Sequence, residues 1–360
     1  MHRWTRLSDT PDSLTPCVAT FGNFDGVHRG HQSVINALIT AARRHQVPSV
    51  TVTFDPHPGH VFHPESAPEI ITPGELGEHL LADFGIDGLL VLHFDREFAS
   101  QSARDFIVST FVEGLQVRAL VVGADARGFG KDYTGDVQLL RELGEELGFE
   151  VIVIDDQGDD ARWSSSRVRE RLADGDVAHA AEILGRPHRL VGEVVHGDHR
   201  GRELGFPTAN MSPTSLGLIP ADGVYAGWLT RLDQPLDHPE RTMPAAISVG
   251  TNPTFDGTRA RRVESYVLDR TDLDLYGERV MVEFIERIRP TLKFESVEEL
   301  LDAMNDDVAR CREVLFAAIA PPLTPESASP ASPGGSADPA PPAAAEGQGQ
   351  TAHPAGDLPD

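Results

Sequence analysis

Two imidazoles stand three residues apart at the end of the string Thr20-Phe21-Gly22-Asn23-Phe24-Asp25-Gly26-Val27-His28-Arg29-Gly30-His31. On one helical turn His28 and His31 share a face. The glycines let backbone pass close to a ligand. The amides of a helix starting near Arg29 favour an anion. Imidazoles beside such a terminus can donate hydrogen bonds to phosphate oxygens. In phosphoryl chemistry that charge stabilisation is most of what a protein must supply. Zinc would need a third ligand at suitable spacing, and none is present. Against a bare His-x-Gly-His match, a pair of surface histidines competes well; the full string favours a nucleotide.

A second group of oxygen-bearing residues lies further along. Pro207-Thr208-Ala209-Asn210 follows a glycine- and arginine-rich stretch, Gly197 to Gly205, and Glu264 lies in Val263-Glu264-Ser265-Tyr266. Taken singly, Thr208 and Asn210 read as turn residues. Glu264 alone reads as an exposed strand carboxylate paired with Arg261 or Arg262. Ser164-Ser165-Ser166-Arg167-Val168-Arg169 alone reads as a serine N-cap followed by exposed arginines.

The elements around these residues fall into two patterns. Apolar runs at Thr15–Gly22, Val50–Phe54, Ile86–Leu92, Val117–Val122 and Val151–Ile154 read as strands, separated by helical patterns such as Asp136–Leu147. That rhythm predicts a parallel sheet covered by helices on both faces, with ligands at the carboxyl ends of the strands. Ala178–Leu184 reads as a last helix, broken at Arg186-Pro187. From His188 to Arg289 short strands are divided by Gly, Pro and Asp clusters, which predicts an antiparallel barrel or sandwich. Val297, Leu300, Leu301, Met304, Val308, Cys311 and Leu315 mark one closing amphipathic helix. Residues 320–360 are rich in Pro, Ala, Gly and Ser and read as a disordered tail.

Composition narrows the partners. The 360 residues carry a formal net charge of -25. That disfavours nucleic acid and requires any phosphate site to build its positive charge locally. The two cysteines, Cys17 and Cys311, have no metal-type spacing and read as reduced, buried thiols. The first fifteen residues lack an apolar signal core and no run approaches a membrane span, so the expected compartment is the cytoplasm.

The Thr20–His31 string resembles the signature of the nucleotidyltransferase superfamily. More narrowly it is similar to the adenylyltransferase half of the bacterial bifunctional riboflavin kinase/FAD synthetase family. Thr53-Phe54-Asp55-Pro56-His57-Pro58 and the Ser164–Arg169 string are similar to further motifs of that family. Gly192–Gly197, Arg200–Asn210, Pro220–Ala226, Gly250–Phe255, Val263–Tyr266 and Asp274–Gly277 resemble the riboflavin kinase module, in the same order.

The resemblance implies a Rossmann-like α/β adenylyltransferase domain over 1–185 and an antiparallel β-barrel kinase with a closing helix over 186–319. It implies phosphorylation of riboflavin to FMN and adenylylation of FMN to FAD, with ATP as co-substrate and Mg²⁺ as metal. For adenylyl transfer it implies His28 and His31, with Gly22, Asn23, Phe24, Asp25, Gly30, Asp125, Ser165, Ser166 and Arg169 on the nucleotide. For the kinase it implies Glu264 as general base and Thr208 and Asn210 on Mg²⁺. Gly197, Arg202, Gly205, Pro207 and Thr208 would hold the nucleotide, with Arg200 or Arg202 neutralising charge. Tyr225, Tyr266 and Tyr276 are expected to pack the barrel rather than stack on flavin.

One stretch departs from the family pattern. In Gly123-Ala124-Asp125-Ala126-Arg127-Gly128-Phe129-Gly130, Ala126 stands where an aromatic is usual and a residue is inserted around Gly128. Phe129 is the ring available to replace it. Two other readings therefore stay open: a riboflavin kinase with a weakened adenylyltransferase domain, and a non-catalytic flavin- or nucleotide-binding regulator. The protein is expected to act on small molecules, away from nucleic acid and membrane, as a monomer or weak homo-oligomer.

Overall fold

Short, mostly apolar runs, the central ones buried, build the first half. The computed structural model describes residues 1–197, 204–251 and 261–317. In chain order it begins with β1 (His2–Trp4), β2 (Val18–Phe21), α1 (Arg29–His45), β3 (Ser49–Asp55), α2 (Pro58–Phe62), α3 (Glu75–Ala82) and β4 (Gly88–His93). Then come α4 (Ala103–Phe106), running on into a π-helical stretch at Ile107–Gly114, β5 (Ala119–Gly123), β6 (Arg127–Phe129), β7 (Gly135–Asp136), α5 (Val137–Leu147) and β8 (Glu150–Ile154). Helices α6 (Ser165–Asp174) and α7 (Val177–Leu184) follow.

Six strands form one sheet in the order β1-β4-β3-β2-β5-β8, with every pairing parallel. Successive side chains point to opposite faces, and both faces are covered. Ala19, Val52, Leu90 and Leu120 pack with Phe106, Phe111 and Leu140 on one side. Val18, Leu89, Val91 and Val121 pack with Ile35 and Leu38 of α1 on the other. From β2 the chain builds β3 and β4 outward on one side and β5 and β8 on the other, so order reverses at β2/β5. A crevice at such a reversal is where ligands bind in open α/β sheets.

The second half is the barrel alternative of the two expected. Strands β9 (His188–Val195), β10 (Ala209–Met211), β11 (Gly223–Arg231), β12 (Thr242–Thr251), β13 (Arg261–Val267) and β14 (Arg279–Pro290) close in the order β10-β13-β12-β11-β14-β9. Its interior holds Tyr225, Val249, Val263, Val282 and Phe284, all essentially inaccessible. The closing helix α8 (Val297–Ala317) covers the outside, where Cys311 and Leu315 meet Ala226, Leu268 and Ile288. Arg289 fixes the helix through two bonds to Asp307, at 2.8 and 2.7 Å.

The two halves share apolar packing. Val168 and Leu172 of α6 and Val177, Ile183 and Leu184 of α7 lie in one cluster with Leu190, Tyr225, Ile247 and Phe284 of the barrel. Both cysteines are free and buried, and burial pushes each thiol up to about 12. No helix among the described residues is long and apolar enough to cross a membrane. The 320–360 stretch, Arg200, Arg202 and the Asn252–Phe255 part of the Gly250–Phe255 motif lie outside the described residues.

Candidate active sites

The turn after β2 opens into a cavity of about 1220 Å³ at the carboxyl ends of the strands. Its wall contains Gly22, Asn23, Phe24, Asp25, His28, Gly30, His31, Asp125, Ser165, Ser166 and Arg169, bringing together every residue of the first expected site. His28 is the N-cap of α1, and its Nδ1 accepts the backbone N–H of His31 at 3.3 Å. That bond leaves the neutral ring with its proton on Nε2. The two rings stack with centroids 3.7 Å apart and planes at 24°.

Burial, and then the charge of Arg162, pull His28 down to about 4. Burial, then His28 and Arg162, push His31 well below the ordinary histidine value. Both imidazoles are therefore neutral near pH 7. His31 Nδ1 is buried with no hydrogen-bond partner, a polar atom in want of a ligand.

Asp25 and Arg169 do something the spacing does not reveal. The Asp25 carboxylate accepts from the backbone N–H groups of Ile71 and Thr72, at 3.1 and 3.0 Å, and from the Arg169 guanidinium. Ser165 Oγ donates to Asp25 O at 2.8 Å, while Ser164 caps α6 by accepting from Arg167 N. The pair therefore ties the first loop to α6 and to the 71–72 segment. Asp125 forms an ion pair with Arg162 at 2.6 Å, leaving that cation on the cavity wall.

Sequence reasoning named Phe54 and Phe129 but missed most of the aromatic part of this wall. Phe54, Phe62, Phe94, Phe98, Phe106 and Phe129 line it. Phe54 meets Phe94 edge-on at 5.6 Å, and Phe106 meets Phe98 at 5.8 Å. In a sequence such rings read as core, and only the fold turns them toward a ligand-sized space. Phe129 packs edge-on to Phe21 at 5.3 Å, so the altered 123–130 loop still puts a ring in this wall.

The second site lies on the barrel. Asn210 and Glu264 are register partners across β10 and β13. Thr208 Oγ1 donates to Glu264 Oε2 at 3.3 Å, and Asn210 Nδ2 lies 3.4 Å from Thr208 Oγ1. Asn210 is thus a strand residue, and Arg261 forms its ion pair with Asp222 at 2.9 Å. Gly197 is a cradle for the amide: an added Cβ would lie 2.6 Å from Asn210 Cγ. Gly205 sits in a turn at φ +87°. Pro207 immediately precedes Thr208. The neutral hydroxyl and amide oxygens of Thr208 and Asn210 suit a hard cation that keeps waters and phosphate ligands. Among the described residues no cluster of three or more His, Cys, Asp or Glu could hold a metal ion.

The tyrosines behave as barrel packing. Tyr225 is fully buried, edge-on to Phe284 at 5.3 Å. Tyr266 is edge-on to Phe206 at 5.2 Å, beneath α8. Tyr276 lies against the barrel core and faces His196 at 3.9 Å.

Comparison with known proteins matches this division. Residues 10–168 fit the FAD synthetase family and residues 184–315 fit the riboflavin kinase family. The bifunctional riboflavin kinase/FMN adenylyltransferase of Escherichia coli strain K12 is 38% identical over 308 residues, covering 85% of this chain and 95% of the relative. The chain belongs to the bifunctional riboflavin kinase/FMN adenylyltransferase family. Within that family, the Pseudomonas fluorescens protein is also 38% identical, over 82% of this chain and 92% of its own length. A crystal structure described as a macrolide-efflux protein from Streptococcus pneumoniae superimposes with a TM-score of 0.76 at 33% identity. It covers 86% of this chain and 98% of the other.

Proposed function

We propose that this chain phosphorylates riboflavin to FMN on its barrel and adenylylates FMN to FAD in the crevice of its parallel sheet. The observation that carries the reading is the stacked, neutral pair His28 and His31 at a helix N-terminus, in a cavity whose wall also carries a cluster of phenylalanines. A nucleotide's phosphates suit the first feature and a flavin ring suits the second.

In the adenylyl site, an FMN phosphate oxygen would attack the α-phosphorus of ATP, and pyrophosphate would leave. Each neutral imidazole would still carry one N–H to donate to a phosphoryl oxygen. Ser165, Ser166 and the start of α6 would hold phosphate oxygens, with Arg162 as the neighbouring cation. Asp25 would act by holding Arg169 and the loop in place.

In the kinase site, the terminal ribityl hydroxyl would attack the γ-phosphorus of ATP, and ADP would leave. Glu264 would accept the hydroxyl proton. Thr208 and Asn210 would hold Mg²⁺, which supplies charge neutralisation on the phosphates when bound. Gly197, Gly205 and Pro207, with Arg202, would shape the nucleotide pocket.

We assign 1–185 to adenylyl transfer, 186–319 to the kinase and 320–360 to a tail. The formal net charge of -25 disfavours nucleic acid and leaves the phosphates of small substrates to local cations. Free, buried thiols suit a reducing cytoplasm, and a monomer or weak homo-oligomer is the proposed state.

Purified protein is incubated with riboflavin, ATP and Mg²⁺ and the flavins are separated over time. FMN should appear first and FAD after it. FMN accumulating without FAD, even when FMN is the substrate, would favour the kinase-only reading. The structural point in favour of both activities is Phe129, which keeps a ring in the flavin-sized wall.

A further inference from the structure

The loop that launches His28 and His31 is strained. Phe24, Gly26 and Val27 have φ of +47°, +80° and +40°. For a β-branched residue such as Val27 this region is a genuine outlier, kept only when the surroundings over-determine it. Val27 is wholly inaccessible, so the strain lies inside the protein.

The main grip comes from a residue far along the chain. Arg186 Nη2 donates to Gly26 O at 2.6 Å, and Nη1 donates to Val27 O at 3.1 Å and to Leu184 O at 3.2 Å. Gln32 Nε2 adds a bond to Val27 O at 2.9 Å, and Thr72 Oγ1 accepts from Gly26 N at 2.8 Å. Ending α7 does not need an arginine, because Gly185 at φ +71° and Pro187 already end it. Yet Arg186 keeps Nε buried without a partner, and burial pulls its pKa down to about 10. It remains a cation at neutral pH, held in dry surroundings, with both Nη nitrogens spent on backbone carbonyls.

We infer that Arg186 is a positioning residue for adenylyl transfer: by capping the carbonyls of Gly26 and Val27 it fixes the strained turn from which His28 and His31 project. Arg186 lies within the segment that matches the riboflavin kinase family. The adenylyl site is therefore held in shape by a side chain outside its own family segment. The inference rests on adenylyl transfer taking place at His28 and His31. It adds a role for a residue that is not part of the cavity wall.

The test uses the full chain with Arg186→Gln and Arg186→Lys, measuring both activities on the same preparations. In Arg186→Gln, kcat for FAD formation should fall by up to about a hundredfold, the cost of misplacing reacting groups by about 1 Å. KM for FMN and ATP should stay within about threefold, because the turn acts on the transition state. FMN formation should be unchanged. Arg186→Lys, still able to donate to both carbonyls, should recover most of the lost kcat.

Full FAD formation by Arg186→Gln overturns the inference alone. So does a parallel fall in both activities, or a failure of lysine to recover what glutamine loses. A wild-type chain that makes FMN but no FAD overturns the inference together with the reading it rests on.

Discussion

The Thr208 hydroxyl, one residue ahead of β10, donates to Glu264 Oε2 of β13 at 3.3 Å, beside the register pair that sets Asn210 opposite Glu264. One strand pairing of the barrel thus brings together a carboxylate able to take a proton and two neutral oxygens able to face a metal. The residues are 56 positions apart in sequence, and only the closed barrel makes them neighbours.

Glu264→Gln keeps an acceptor for Thr208 but loses the base. Its FMN formation should fall by about 10²- to 10⁴-fold, the usual worth of a general base. FAD formation from supplied FMN should stay unchanged, since the two sites use different residues. Flavin chromatography with each substrate in turn checks this, and loss of both activities in a folded variant would remove the two-site assignment.

Gly197→Ala tests the metal side of the same site. The added Cβ would meet the Asn210 amide at 2.6 Å, so that side chain has to turn away. A side-chain end moves cheaply, so thermal stability should hardly change. The kinase KM for ATP should rise while adenylylation is untouched. An unaltered KM would show that the Asn210 amide does not help hold nucleotide.

Much of this was legible in the chain. The strand ending at Phe21, the glycines after it and the spacing of His28 and His31 pointed to a strand end, and the cavity opens there. Local period and turn residues carry that information. What stayed hidden depends on distant contacts. β1 is three residues long and polar at its start. It earns its place beside β4 because Trp4 packs over Gly88, where a side chain would come within 2.9 Å of the indole. The Asp25–Arg169 pair spans 144 positions, and no spacing rule reaches that far. Arg186 read only as part of a helix break, because its targets at Gly26 and Val27 are 160 and 159 positions away.

His28→Ala combined with His31→Ala removes both imidazoles from the first cavity. FAD formation should fall by at least about a hundredfold, the scale of losing one preorganised donor to transition-state charge. FMN formation should persist, because neither ring touches the barrel site. FAD output equal to wild type would take the first cavity out of the mechanism.

His188 links the barrel to pH. It is 2% exposed, its Nε2 lies 2.6 Å from Leu218 O, and its ring stacks on Phe284 with centroids 6.1 Å apart. Burial pulls its pKa down to about 4, from 6.5 in the unfolded chain. Below pH 6.5 the unfolded chain therefore binds a proton that the folded chain refuses, so stability falls as pH drops from 6.5 toward 4. At pH 5 this single group should cost about 2 kcal/mol relative to pH 7, by linkage. His188→Gln keeps an N–H donor for Leu218 O but cannot titrate. Urea unfolding of both proteins at pH 7 and pH 5 should show a smaller loss in the variant, by about that amount. Equal losses would mean that His188 keeps an ordinary pKa inside the barrel, and that its burial is relieved by something other than neutrality.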